Sequence, residues 1–398
     1  MLRFLTAGES HGPCLLAIVE GLPAGLFVDE EAIRRDLARR QGGYGRGARM
    51  QIEQDHAEVL SGVWQGRTTG APLALRIENR DWAHWQDQNL PLTPTLSQRE
   101  RGLPPLTVPR PGHADLAGLI KYGLDDARPV SERASARETA ARVAVGALTK
   151  LLLAEFGIAV GSFVAEIGGV VAEVPALPPH ELWALAEASD VRCPDEAAAK
   201  RMREAIDAAR EAGDSLGGVF VVVATGVPPG LGSYVHWERR LDARLTFAVM
   251  SIPAIKGVEI GPAFENARLP GTQVHDELFV SSDEERETRN EEICSSFLIT
   301  RHSNRAGGIE GGISNGQPIL VRAAMKPIPT TRTPRRSVDL RTGEPATTQY
   351  QRSDVCAVPA AAVVGEAMVA WVLADALLEK LGGDSLSEMK AHGASRTW

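Results

Sequence analysis

Two stretches of this chain carry apolar residues at helical spacing over a length that only a protein interior can accommodate. Between about Arg133 and Phe156, Ala140, Val143, Ala144, Ala147, Leu148, Leu151 and Leu152 recur three and four residues apart, and Gly157 supplies a stop. A second apolar stretch opens at Val358-Pro359-Ala360, with proline in its first turn, and runs through Trp371 and Leu377 to Gly382. Both are expected to be long buried helices, so other elements must pack around them. Each follows a segment rich in glycine and arginine, which suggests internal pseudo-symmetry: two similar layers around a shared helical core, in place of separate domains.

The rest of the chain reads as mixed helix and strand, an α+β class. Leu15 to Val19 is expected as a strand, and Asp29 as the N-cap of a helix. That helix has Glu30 and Glu31 in its first turn, Ile33 and Leu37 on its apolar face, and Arg39 and Arg40 at its end. Met50 to Glu53, Pro72 to Ile77, Ile158 to Val171, Val219 to Ala224 and Pro318 to Met325 read as strands. Glu181 to Ala188 and Asp195 to Ala212 read as amphipathic helices. Residues 82–111 show no lasting period and are expected as a long surface loop or insertion. Residues 384–398 are expected as a tail to a single domain spanning 1–398.

Composition narrows the function. The 43 Lys and Arg are outnumbered by 51 Asp and Glu, a formal net charge of -8, which argues against a coat for nucleic acid or anionic membrane. No uninterrupted apolar run reaches the roughly 18 residues of a spanning helix. Residues Met1 to Gly12 lack a signal-peptide pattern, so a cytoplasmic location is expected. Cys14, Cys193, Cys294 and Cys356 are too scattered for a disulfide framework or a zinc site and read as buried or incidental thiols. No metal is expected.

Chemistry-bearing residues cluster in loops. Gly8-Glu9-Ser10-His11-Gly12 sets a histidine between glycines, where backbone can approach a ligand and the imidazole can exchange a proton near neutral pH. Arg110-Pro111-Gly112-His113-Ala114-Asp115 repeats that arrangement beside an arginine and a carboxylate that could orient the ring. Arginines group as Arg40, Arg46 and Arg49, as Arg133, Arg137 and Arg142, and as Arg332, Arg335, Arg336 and Arg352. Folded around one cleft, they would suit a small anion bearing carboxylates and phosphate, whereas Arg335, Arg336 and Arg341 read more simply as solvated charge. Arg133 and Arg137, four residues apart, are expected on one face near a helix N-terminus. The run Gly307 to Gly316 lacks the order of a dinucleotide site and offers either backbone N–H groups for a flavin phosphate or tight strand connections. Asp354, beside Arg352, is a candidate base or merely the N-terminal charge of the second long helix.

In combination these segments resemble the chorismate synthase family. GESHG at Gly8, RPGHAD at Arg110, ERASARETAARVA at Glu132, SIPAIKGVEIG at Ser251, the glycine run ending SNG at Gly316 and RSDVCAVPA at Arg352 fall in family order. The likeness spans nearly the whole chain apart from the Trp82 to Thr107 loop and the last several residues. It implies a β-α-β sandwich, two antiparallel sheet layers around central long helices, assembled as a homotetramer.

The reaction it implies is anti-1,4-elimination of phosphate from 5-enolpyruvylshikimate 3-phosphate to give chorismate, the last common step toward the aromatic amino acids. Reduced FMN is needed although no net redox change occurs. By the same resemblance His11 protonates the departing phosphate, His113 manages protonation near the flavin N1, and Asp354 assists removal of the C6 proton. Arg40 and Arg46 match NADPH positions and are expected to touch substrate anions with Arg110, Arg137 and Arg352. The flavin positions are Arg133, Ala134, Ser135, Pro253, Ala254, Gly311, Lys326, Pro327, Ile328, Pro329, Thr330 and Arg352. Among these, the prolines could contribute only carbonyls or ring packing. With no reductase extension recognised, a monofunctional enzyme is expected, supplied by an external flavin reductase with NADPH as indirect reductant. The alternatives are a non-catalytic flavin or anion-binding protein on the same fold and a nucleic-acid binder, the latter opposed by the net charge.

Overall fold

The computed structural model describes residues 1–47, 53–82, 104–280, 299–350 and 353–395. Its first layer follows from alternation. Strands β1 (Arg3–Ala7), β2 (Cys14–Glu20), β3 (Ala57–Ser61) and β4 (Leu73–Glu78) form an antiparallel sheet in the order β1-β2-β4-β3. Leu15, Ala17 and Val19 of β2 and Leu73, Leu75 and Ile77 of β4 are buried, while Leu16 and Ile18 are exposed. That is the period-two pattern of a sheet covered on one face. Between β2 and β3 lies α1 (Glu30–Gln41), where the Asp29 carboxylate accepts from the Glu31 and Ala32 N–H groups, as expected of its N-cap.

After β4 come two short helices, α2 (Asp115–Tyr122) and α3 (Arg128–Arg133), and then the first long buried helix, α4 (Thr139–Ala154). It begins later than its apolar spacing suggested. Ser135 caps a separate 3-10 turn at Ala136–Glu138 by accepting from the Arg137 N–H, and this interrupts the helical path. Arg133 and Arg137 therefore do not share a helix face: one ends α3 and the other sits in the turn.

The second half contains β5 (Ala159–Ile167), β6 (Val170–Val171), α5 (Pro179–Ala188), α6 (Glu196–Glu211), β7 (Gly218–Thr225), α7 (Leu241–Met250), β8 (Ile255–Ile260), β9 (Ile319–Met325) and α8 (Val358–Leu381). Its sheet is antiparallel throughout, in the order β8-β9-β7-β5-β6. The pseudo-symmetry is explicit in this topology. Strands and helices β1, β2, α1, β3, β4, α4 recur in order as β5, β7, α7, β8, β9, α8, and in both sheets the spatial order is first, second, fourth, third.

Helices α4 and α8 pack on each other between the sheets, α4 reaching β2 and β4, and α8 reaching β5 and β7. A Cβ at Gly146 would lie 2.2 Å from that of Ala367, so glycine sets how closely the two helices approach. By length and composition the 24-residue α8 would suffice to cross a membrane, contrary to the expectation from apolar run length. Here it is a core helix, its most apolar window 89% buried.

A charged knot ties this layer together. Glu366 of α8 is fully buried, yet its carboxylate accepts from both Nη atoms of Arg39 at 2.8 Å, from Lys150 Nζ at 2.6 Å and from Ser162 Oγ at 2.5 Å. Burial alone would raise its pKa, but Lys150, Arg39 and Arg192 outweigh that and hold the carboxyl well below the usual range.

Within the expected tail, residues 384–395 are folded. Ser385 and Glu388 form a reciprocal capping box that starts α9 (Leu386–Ala394), and Leu386 and Met389 are buried. Of the remaining expectations, the Met50 to Glu53 strand apart from Glu53 and most of the 82–111 loop lie outside the described residues, as does Cys294. The Gly307 to Gly316 run forms a tight hairpin, Ile309–Glu310 against Ile313–Ser314. Cys193 and Cys356 are buried, and burial pushes the Cys356 thiol up to about 11.

Candidate active site

A cavity of about 1520 Å³ is walled by residues from both halves of the chain. Ala360, Ala361, Val364, Met368 and Trp371 of α8 form an apolar part of that wall, and loops supply the polar part.

The first histidine loop is built by backbone constraint. Gly8 has φ 105°, and a Cβ there would meet the Cys14 carbonyl at 2.4 Å, so the loop can fold back onto β2 only with glycine at this position. Asn79 Nδ2 donates to the Gly12 carbonyl at 2.7 Å, and Arg137 Nε donates to Asn79 Oδ1 at 2.8 Å. His11 is gripped by one carboxylate: its main-chain N–H donates to Glu132 Oε2 at 2.7 Å, and its Nδ1 lies 2.8 Å from Glu132 Oε1. Beside it, Ser135 Oγ donates to Ser10 Oγ at 3.0 Å.

A different carboxylate holds the second loop. Asp115 opens α2 and accepts from Arg110 Nε at 2.8 Å and from the Arg110 main-chain N–H at 3.0 Å, while His113 Nδ1 lies 2.6 Å from its other oxygen. Burial would raise the Asp115 carboxyl, but hydrogen bonds from His113 and Arg110 prevail and hold it well below the ordinary range. Arg110 also donates to Ser131 Oγ at 2.7 Å and Thr330 Oγ1 at 3.3 Å, which docks this loop against the second half.

Asp354 is positioned by the first half: Arg46 Nη1 donates to Oδ2 and the Gly47 N–H to Oδ1, each at 2.6 Å. Lys326 donates to the Gly112 carbonyl, and its own N–H donates to the carbonyl of Ala254 at 3.0 Å. Ala254 has φ 68°, a left-handed conformation that L-residues rarely adopt, on the cavity wall.

The arginines divide into two kinds. Arg40 and Arg137 are buried struts on the wall, bonded to opposite oxygens of Asp55, and Arg40 also donates to Thr139 Oγ1 at 2.9 Å. Burial pulls the Arg40 guanidinium down to about 10, so it remains charged at neutral pH. Arg133, by contrast, is exposed and reaches Thr6 Oγ1 at 2.8 Å.

The cavity thus brings together His11, His113, Asp354, Arg40, Arg46, Arg110, Arg133, Ala134, Ser135, Arg137, Pro253, Ala254, Lys326, Ile328, Pro329 and Thr330. Gly311 and Pro327 are not on its wall, and Arg352 lies outside the described residues. Gly311 instead turns the 309–314 hairpin at φ 60°. Glu132 went unnoticed as a site residue because its partner is 121 positions away. Wall residues Phe4, Trp237, Phe247 and Trp371 carry no local pattern that would separate them from core or surface aromatics.

A chorismate synthase family model matches residues 2–378. A chorismate synthase of Geobacter sulfurreducens (strain ATCC 51573 / DSM 12127 / PCA) is 57% identical over 98% of this chain and 97% of its own. One of Desulforudis audaxviator (strain MP104C) is 56% identical over 98% and 95%. A crystal structure of a chorismate synthase superposes with TM-score 0.76 at 46% identity, covering 99% of this chain and 96% of its own. Matches of this extent, over a cavity that gathers the motif residues of both halves, show that the chain belongs to the chorismate synthase family.

Proposed function

We propose that this chain performs its family's lyase reaction, the anti-1,4-elimination of phosphate and the C6 proton from 5-enolpyruvylshikimate 3-phosphate to give chorismate, within the cavity described above. One observation carries the assignment of roles: both loop histidines, each held by its own carboxylate, share a wall with Asp354 and a set of arginines. The arginines place positive charge in a protein whose net charge is -8, which suits a substrate with two carboxylates and a phosphate.

The wall also fits a flavin. Its volume exceeds the roughly 300–1,000 Å³ of an ordinary small-molecule site, leaving room for two ligands. Pro253, Ala254, Ile328 and Pro329 offer apolar surface and carbonyls to a flat ring, while Arg133, Lys326, Ser135 and Thr330 offer donors to its polar groups. Bound reduced FMN supplies electron density that promotes loss of the leaving group and is recovered at the end.

His11 delivers a proton to the departing phosphate, with Glu132 holding its ring. His113, oriented by Asp115, would hold a proton near a bound flavin. Asp354, aimed by Arg46 and the Gly47 N–H, assists removal of the C6 proton. Arg40, Arg46, Arg110 and Arg137 hold the substrate by charge, with Arg352 as a further contact. The family resemblance further supports a cytoplasmic homotetramer, with flavin reduced by an external NADPH-dependent reductase.

The test is anaerobic turnover of 5-enolpyruvylshikimate 3-phosphate with chemically reduced FMN, following chorismate absorbance and released phosphate together. Equal appearance of both, requiring only catalytic flavin, is expected. Flavin binding without either product would identify a non-catalytic flavin protein on this fold.

A further inference from the structure

We infer that Glu132 is a positioning residue for His11, fixing the tautomer and aim of the imidazole. This rests on the proposed role of His11 as the proton donor to phosphate. Glu132 lies in α3, and its two oxygens divide the work. Oε2 accepts the main-chain N–H of His11 at 2.7 Å, which fixes the loop, while Oε1 meets ring Nδ1 at 2.8 Å, which fixes the ring's rotation.

A carboxylate cannot donate when ionised, so the proton of that contact sits on Nδ1 and proton exchange with a ligand runs through Nε2. The Ser10 N–H donates to the Glu132 carbonyl at 3.3 Å, so loop and helix are joined by backbone as well. At 19% side-chain exposure the carboxylate is largely shielded from solvent, so water competes little for its contact with the ring. Besides Glu132 the wall carries the carboxylates Glu138, Glu238, Asp354 and Asp375. Glu138 is bonded to Thr6 and Arg142, Asp354 to Arg46 and Asp375 to Arg244, whereas Glu132 meets the His11 ring.

Replacement of Glu132 by Gln keeps the size and one acceptor but removes the charge. Glu132→Gln is expected to lower kcat on the order of 10–100-fold, with KM for the substrate changed less than about threefold. Glu132→Asp should recover part of the loss. On a His11→Ala background, Glu132→Gln should cost less than about threefold further, because the carboxylate acts through the ring. Thermal melting and reduced-FMN binding of each variant confirm an intact site.

Wild-type kcat in a folded Glu132→Gln would overturn the inference, as would a full additional loss in the double variant. If His11→Ala itself keeps wild-type turnover, the role given to His11 falls first, and that outcome is distinct from the other two.

Discussion

Asp115 binds three groups at once, the side chain and main-chain N–H of Arg110 and the ring of His113, so one carboxylate sets the shape of the second histidine loop. Asp115→Asn removes that charge at nearly constant volume, and kcat/KM should fall on the order of 10–100-fold. The sign of its pH dependence follows from its lowered pKa. A depressed carboxyl stabilises the fold fully above the ordinary value of about 3.9 and loses that contribution as pH falls through its lower folded value. The stability difference between wild type and Asp115→Asn should therefore be constant from about pH 7 to pH 4 and shrink below that, as read by denaturant midpoints. His113 and Asp115 were legible as a pair because they stand two positions apart, a reach that a turn closes by itself. His11 was legible only as a loop histidine, since its partner arrives through the packing of α3.

Among the elements, α1, α4 and α8 are joined through Glu366, whose carboxylate faces Arg39, Lys150 and Arg192 in the buried layer. Glu366→Gln leaves these cations facing a neutral group, with Asp36 and Glu187 as the remaining counter-charges. Loss of one partner of a buried ion cluster is expected to cost about 3 kcal/mol, measurable as a lower denaturant midpoint. Because Glu366 is not on the cavity wall, kcat of the folded variant should stay at the wild-type value. Most elements were legible: Asp29 caps the helix expected of it, the helix expected from Asp195 runs Glu196–Glu211, and β2 alternates as its residues dictate. Helix α4 began late because its start depends on a Ser135 cap, which apolar spacing does not register. Helix α2 escaped notice because, at 8 residues, it is too short to show a lasting period.

As a whole the molecule is acidic, yet its cavity carries arginines from both halves. An anionic substrate should be drawn in by that local field and screened from it by salt. We expect kcat/KM to fall several-fold between about 0.05 and 0.5 M salt, with kcat changing less, a split that initial-rate measurements resolve. What the sequence by itself determined is local: caps, alternation, the two long apolar helices, the glycine-bound histidine loops and the ordered motifs that carry the family likeness. Each rests on residues within a turn or two of one another, where φ/ψ preference and side-chain direction act directly. The tertiary structure alone decided which strand pairs with which, why Arg137 is buried against Asp55 while Arg133 stays exposed and bonds Thr6, and that Glu132 meets His11. Those outcomes depend on close packing between segments far apart in the chain, and no local preference encodes the partner that packing delivers.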